Sequence, residues 1–291
     1  AQIHQWFPEG VIRLFGRNDH HCLYYNDKGK EVNAAESPCH MLKCPHRVNQ
    51  ETGETAEPGV EPCSYLRDKH EALTGNRIIL CTTAFFLMNR VMVGGWRERG
   101  PTCVVVDEAH NLARITRGLF EYTITDWHLN RAIKILKTIN PEQGKILTRF
   151  KKSFSAMARI RAVNQRTLLE NENISRLIEV LDDFDAGALS ASIHQALDEG
   201  LIDPVEQRGE LKLLENLVRN IPRLLRSLRY SIPEDDRQPL NYVVAFYFRA
   251  MEDEEDSPRR RVTTYLTIKA YYVAPLIRRA FGDNVIAQSA T

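Results

Sequence analysis

The chain holds 291 residues, 43% hydrophobic and 26% charged, with 39 Lys and Arg against 38 Asp and Glu. That is about two domains' worth of chain, ample to bury a core, and the composition excludes collagenous, disordered and disulfide-dense classes. No run of eighteen apolar residues exists to span a membrane, and the opening AQIHQWFPEG lacks the layout of a secretory signal. The expected location is therefore cytoplasmic in a prokaryote or nuclear in a eukaryote.

Residues 1–21 read as the end of a helix followed by a loop. Residues 22–63 carry almost no hydrophobic periodicity; NDKGKEVNAAESP and NQETGETAEPGVEP are loop compositions. A structureless stretch of this length needs some tie other than a core. Four cysteines supply one: Cys22, Cys39, Cys44 and Cys63, with 16, 4 and 18 residues between them. Four thiolates suit an iron–sulfur cluster or Zn²⁺, with His40 and His46 as substitute ligands, and spacing alone does not choose. Cys81 and Cys103 differ. They lie in RIILCTT and TCVVVDE and read as small hydrophobes in buried strands.

From Ser64 the pattern is α/β. SYLRDKHEAL reads as a helix, RIILCTT as a strand, AFFLMNRVM as a helix and TCVVVDE as a strand. The strands are continuously apolar, which suits a parallel sheet covered on both faces. Residues 125–230 then turn helical with no strand signal. Leu214, Leu217, Val218, Ile221, Leu224, Leu225 and Leu228 form one apolar stripe, and Ile146, Leu147, Phe150, Phe154, Met157 and Ile160 another. Pro222 should kink or interrupt the first. Period-two alternation returns in VTTYLTIK, whose partner is NYVVAFYFRAM across the charged turn EDEEDSPRR. A helix (APLIRRAF) and a strand (NVIAQ) lead into Ser289-Ala290-Thr291, so the helical block reads as an insertion into an α/β domain.

VVVDEAHNL carries the sharpest chemistry. Asp107, Glu108 and His110 emerge at the C-terminal end of an apolar strand, the edge where open α/β sheets bind ligands. A strand-end aspartate is suited to hold Mg²⁺ through water, and its neighbour to orient and deprotonate water attacking a γ-phosphate.

Asp107-Glu108-Ala109-His110 resembles motif II, the DEAH box, of superfamily 2 helicases, and Ser289-Ala290-Thr291 resembles their motif III. The cysteine set, read as Gly16-Arg17-…-Cys22, then Cys39 and Cys44, then Cys63 ahead of a helix, is similar to that of the iron–sulfur helicases related to XPD and DinG. The resemblance implies a partial RecA-like α/β domain with two inserts. Residues 1–21, 64–124 and 239–291 would form the motor, 22–63 a [4Fe–4S] domain and 125–238 a helical arch. It also implies ATP-driven 5′-to-3′ movement on single-stranded DNA or a fork. Asp107 would hold Mg²⁺, Glu108 would act as base, and His110, Ser289, Ala290 and Thr291 would couple hydrolysis to DNA. Cys22, Cys39, Cys44 and Cys63 would hold the cluster, and Arg17 would contact DNA.

The helical block sorts its charges. Residues 131–166 carry ten basic side chains and one acid, residues 167–210 two and eleven, and residues 211–230 return to +4. A helix bearing Arg149, Lys151, Lys152, Arg159, Arg161 and Arg166 either follows a phosphate backbone or packs beside the acidic helices, and the arch could also dock proteins. The sequence contains no G-x-x-x-x-G-K-[ST]. It is therefore expected to be a helicase segment, inactive alone as an ATPase. Two other readings stay open: a metal-stabilised single-strand-binding module with a vestigial box, and a zinc-stapled protein scaffold.

Overall fold

The computed structural model describes residues 10–75, 77–93, 96, 103–158, 167–233, 242–251, 261–282 and 284–289. The chain is mixed α/β with small sheets. It divides into two compact units, Ala1–Leu119 with Ala274–Thr291, and Phe120–Val273.

The first unit begins with strand β1 (Val11–Arg13), where a helix tail was expected; the proposed helix itself lies outside the described residues. A 3-10 turn (Arg17–Asp19) and a single helical turn α1 (Leu23–Asn26) follow. To residue 63 the described chain holds no further helix, only two isolated bridges, His21 with Asn33 and Val48 with Thr55. The loop reading holds here, but the absence of a core does not. Tyr25, Val32, Ala34, Met41, Leu42 and Val48 are buried together with Ser37 and His46. These residues are too scattered in sequence to show a period, so the pattern missed them. Gly53 closes one turn at φ +79°, and a Cβ there would lie 2.6 Å from His70 Nε2.

Helix α2 (Ser64–Thr74), strand β2 (Ile78–Leu80), helix α3 (Thr83–Leu87), strand β3 (Val104–Val106) and helix α4 (Leu112–Leu119) complete the front of this unit. Thr82 starts α3 by accepting the Phe85 N–H at 3.1 Å. Past α3 the backbone widens into a π-helical stretch, Met88–Val93.

The second unit opens with strand β4 (Tyr122–Thr125) and helix α5 (Asp126–Ile139), capped by Thr125 accepting the His128 N–H at 3.1 Å. Helix α6 (Pro141–Ala158) starts on a proline, whose missing N–H costs nothing at that position. Strand β5 (Thr167–Leu168) comes next, in a region expected to be wholly helical. Helices α7 (Asn171–Leu181), α8 (Ala186–Asp198) and α9 (Arg208–Arg229) follow. The core is the set of stripes read from periodicity: Leu147, Phe150 and Phe154 of α6, Leu177 and Leu181 of α7, and Leu214, Leu224 and Leu228 of α9 are buried. Truncating any of them to alanine removes about 2–5 kcal/mol. Pro222 does not interrupt α9, which runs 22 residues through it; packing on both sides outweighs one lost backbone bond.

Strands β6 (Tyr242–Met251) and β7 (Arg261–Ala270) pair antiparallel as the alternation predicted; the charged turn between them lies outside the described residues. The sheet order is β4-β7-β6-β5. This hairpin therefore belongs with the helical unit, whose limits are 120 and 273. The boundaries expected at 124/125 and 238/239 are displaced because β4 pairs with β7, Tyr122 opposite Ile268.

The chain then re-enters the first unit through helix α10 (Ala274–Phe281) and strand β8 (Val285–Ala287). Phe86 and Phe281 stack at 5.0 Å, and Phe85, Leu87, Trp96 and Val106 share their core. The described strands here form two parallel pairs, β1 with β2 and β3 with β8. They are not covered on both faces. Val105 and Ile286, opposite one another in register, are 61% and 57% exposed, and Ile78 is exposed too.

Candidate functional site

The acidic box is placed by β3. Val106 is buried and anchors the strand end, and Asp107, Glu108 and His110 follow it into solvent. Glu108 takes a left-handed backbone, φ 53° and ψ 44°, the described non-glycine residue with positive φ. A long side chain held there is strained by about 1–2 kcal/mol, and such outliers cluster at functional sites. The Asp107 carboxylate accepts the Glu108 N–H at 2.9 Å, which helps hold the turn.

Strand β8 lies beside β3 in parallel, Val106 opposite Ala287, so both strands deliver their C-terminal ends to one edge. Gln288 bridges the two: its N–H donates to the Val106 carbonyl at 3.0 Å, its carbonyl accepts from Ala109 at 3.0 Å, and its side-chain amide reaches Asp107 at 3.4 Å. Ser289 Oγ then lies 2.8 Å from His110 Nδ1, across 179 positions of sequence. Glu108 Oε2 approaches the same nitrogen at 3.2 Å.

The network fixes the histidine tautomer. Arg114 donates to Asn111 Oδ1 at 3.2 Å, which turns the Asn111 amide nitrogen toward His110 Nε2 at 3.0 Å. Nε2 is thus the acceptor, and Nδ1 carries the hydrogen directed at Ser289 and Glu108. Asn111, Arg114 and Gln288 were missed in the sequence; polar residues beside a motif carry no signal until the strand pairing is known. Ala290 and Thr291 lie outside the described residues.

The four expected metal ligands gather by a different route. Cys22 and Cys63 flank α1 and α2 at their starts, and Cys39 and Cys44 lie on the loop between. Burial pushes the Cys44 thiol up to about 11; the backbone at His46 opposes the rise, and the fields of Cys22, Cys39 and Cys63 add to it. Burial likewise raises Cys63, opposed by backbone N–H groups of α2 and reinforced by Cys39 and Cys22. Each of the two thiols thus senses its companions. Among the described residues no group of three or more Cys, His, Asp or Glu side chains closes to metal-ion geometry. A single Zn²⁺ draws sulfurs to about 3.8 Å of one another, from Zn–S bonds near 2.3 Å, whereas an iron–sulfur cluster gives each thiolate its own iron. The donor set fits such a group by its chemistry, four thiols of which Cys44 and Cys63 lie within electrostatic reach of the other two.

His46 is buried, and both ring nitrogens are engaged: Nδ1 with the Glu61 carbonyl and Nε2 with the Asp27 carboxylate, each at 2.8 Å. It is a brace, not a spare ligand. His40 is exposed. Arg17, expected to meet DNA, turns inward. Its guanidinium donates to Cys39 Sγ at 2.9 Å, to the Ser37 carbonyl at 3.2 Å and to the Ala34 carbonyl. Tyr25 is fully buried, and Tyr24 is covered by the Lys28 ammonium at 4.9 Å. Cys81 packs against the core, and burial lifts its thiol to about 11. Cys103 is exposed, because it precedes β3 rather than lying within it.

The basic helix pairs in part with its acidic neighbours. Arg149 of α6 meets Asp183 at 2.8 Å, Arg131 of α5 meets Glu210 at 2.9 Å, and Arg229 of α9 meets Asp182. Lys151 donates to Asn130 at 2.6 Å, and Lys152 is exposed. Arg159, Arg161 and Arg166 lie outside the described residues. The charge sorting thus works at least partly as packing. No helix among the described residues is long and apolar enough to cross a membrane. No known family model matches the chain, and no curated protein matches it.

Proposed function

We propose that the chain is the part of an ATP-dependent DNA helicase, akin to the iron–sulfur superfamily 2 enzymes, that carries the acidic box, the cluster ligands and the arch. The observation carrying this reading is the 2.8 Å link from His110 to Ser289 across two parallel strand ends. A solvated acidic turn needs no partner 179 positions away; a device that passes nucleotide state onward does.

Asp107, exposed at the strand end, is the residue to hold Mg²⁺, which when bound neutralises charge on the transferred phosphoryl group. Glu108 accepts the proton of the attacking water at its carboxylate. Its left-handed backbone and the His110 Nδ1–H set where that carboxylate points. Because His110 shares one hydrogen between Glu108 and Ser289, a shift of Glu108 on hydrolysis changes its grip on Ser289. Cys22, Cys39, Cys44 and Cys63 would hold a [4Fe–4S] cluster that braces residues 22–63, with Arg17 holding Cys39 in place.

The test is made in the intact protein. Glu108→Gln should keep nucleotide binding and lose single-strand-stimulated ATP turnover by about a hundredfold or more. Ser289→Ala should leave turnover largely intact while strand displacement falls. Unchanged turnover in Glu108→Gln refutes the assignment of the base, and with it this reading.

A further inference from the structure

Helices α5 and α6 and the turn after α7 border an open groove of about 920 Å³ within the helical unit, a size that takes a small organic ligand. Part of its lining is aliphatic. Ile133 of α5 and Pro141 and Ile146 of α6 contribute to it, and Gly144 keeps the two helices close, since a Cβ there would stand 3.3 Å from Leu136 Cβ.

The polar lining is rich in unused donors. Lys137 and Lys145 are exposed, and among the described residues neither has a carboxylate or any other partner. Gln143 also lines the groove, yet is only 4% exposed. Its side-chain carbonyl accepts the Asp185 N–H at 3.1 Å. That bond sets the amide orientation and leaves the amide nitrogen without an acceptor among the described residues. A nearly buried donor in that state calls for an acceptor from outside the chain.

The rest of the lining is accounted for internally. Asp183 holds Arg149 at 2.8 Å, and Glu142 lies in the first turn of α6, where the helix dipole favours an acid. Asn140 Oδ1 accepts the Gln143 backbone N–H at 3.1 Å, so the demand for an anion comes from side chains and not from the helix end. The described lining holds no aromatic ring on which a base would stack. A nucleic-acid strand is therefore a poor guest.

From two unpaired ammonium groups, an unanswered amide donor and an aliphatic wall we infer that this groove binds a small acid, its phosphate or carboxylate carried on an aliphatic body. Lys137 and Lys145 take the charge, Gln143 donates to an oxygen of the same group, and Ile133 and Pro141 cover the body. The groove shares no residue with the acidic box or the thiols, so it stands or falls apart from the motor reading.

The test titrates this chain with pentyl phosphate and with hexanoate at low salt, followed by saturation-transfer NMR. At least one should bind with a Kd of about 1 mM, ordinary for a ligand of this size, and the tighter of the two identifies the anion as phosphate or carboxylate. Methyl phosphate, an anion without the body, should bind about tenfold more weakly than pentyl phosphate, since each fully buried methylene is worth about fourfold. Pentanol, a body without the anion, should bind about tenfold more weakly than the tighter acid. Lys137→Gln/Lys145→Gln should weaken that acid about tenfold. Lys134→Gln, which removes an exposed charge of α5 outside the lining, should bind within about twofold of the parent. All three lysines are exposed, so thermal midpoints should match the parent's. The inference is overturned if neither acid binds, if methyl phosphate and pentanol each bind as tightly as the full ligand, or if the double lysine variant keeps the parent's affinity. Glu108→Gln should bind both acids as the parent does, so a motor that fails while the groove holds separates the two assignments.

Discussion

Arg17 ties the segment of residues 22–63 to the strand before it, and replacing it tests how that segment is held. Arg17→Met keeps the aliphatic stem and removes the donors to Cys39 Sγ and to the carbonyls of Ala34 and Ser37. Ala34 and Ser37 are both buried, so their carbonyls lose partners that water does not readily replace. A hydrogen bond from a charged donor contributes about 1.5–3 kcal/mol. Discounted for the half-exposed guanidinium, the two carbonyl bonds together give about 2–4 kcal/mol. If this acts on local opening, cleavage within 22–63 accelerates about 30- to 700-fold where opening is in fast equilibrium. The assay is limited proteolysis of the metal-free, reduced chain, with cleavage sites mapped by mass. Residues 120–273, the other compact unit, serve as internal control. Arg17→Lys, with one compact ammonium instead of a fork, should fall between. Cleavage of Arg17→Met within threefold of the parent would refute this role for Arg17.

Thiol reactivity should follow burial. At pH 8 the Cys44 and Cys81 thiols, pushed up to about 11 by burial, stay almost wholly protonated, so iodoacetamide should label exposed Cys103 before either. Equal rates for Cys44 and Cys103 would contradict this. The same shift acts on stability. The folded pKa of Cys81 lies above its unfolded 9.0, so its contribution is full below pH 9 and disappears as pH rises through 11. Two units amount to at most about 2.7 kcal/mol, and Cys81→Ala should flatten that part of the alkaline denaturation curve. At Glu108 the left-handed backbone sets an order: Glu108→Asn should be at least as stable as the parent, and Glu108→Val less stable by about 1–2 kcal/mol. Identical thermal midpoints for the two variants would mean the turn relaxes in solution.

The helical unit was legible in the sequence because three- and four-residue steps survive any tertiary detail; Phe150, Phe154, Leu214 and Leu228 are buried as the stripes predicted. Strand β3 and the turn after it were legible for a similar reason, an apolar run ending in charge. The sheet partners were not. Nothing in TITD or VTTYLTIK announces that β4 crosses to β7, so the unit boundary shifted to 273. The inward bonds of Arg17 were not legible because the sequence shows a charge beside a glycine but not the buried carbonyls that take its hydrogens. The core of 22–63 stayed hidden because six apolar residues spread over a long loop have no period. Asn111 and Gln288 acquire meaning only once β8 is known to lie against β3.

The pairing of β3 with β8 also bears on how the molecule is made. On the ribosome, Val104 emerges about 180 residues before Val285, its partner. At about 5–20 residues per second that is a wait of about 10–35 seconds with an apolar edge unsatisfied. The continuous unit 120–273 can mature in the interval, while the interrupted one stays open until the tail arrives. Nascent chains stalled before residue 285 should accordingly depend most on chaperones, and circular permutants that bring the two strands together in time should need them least.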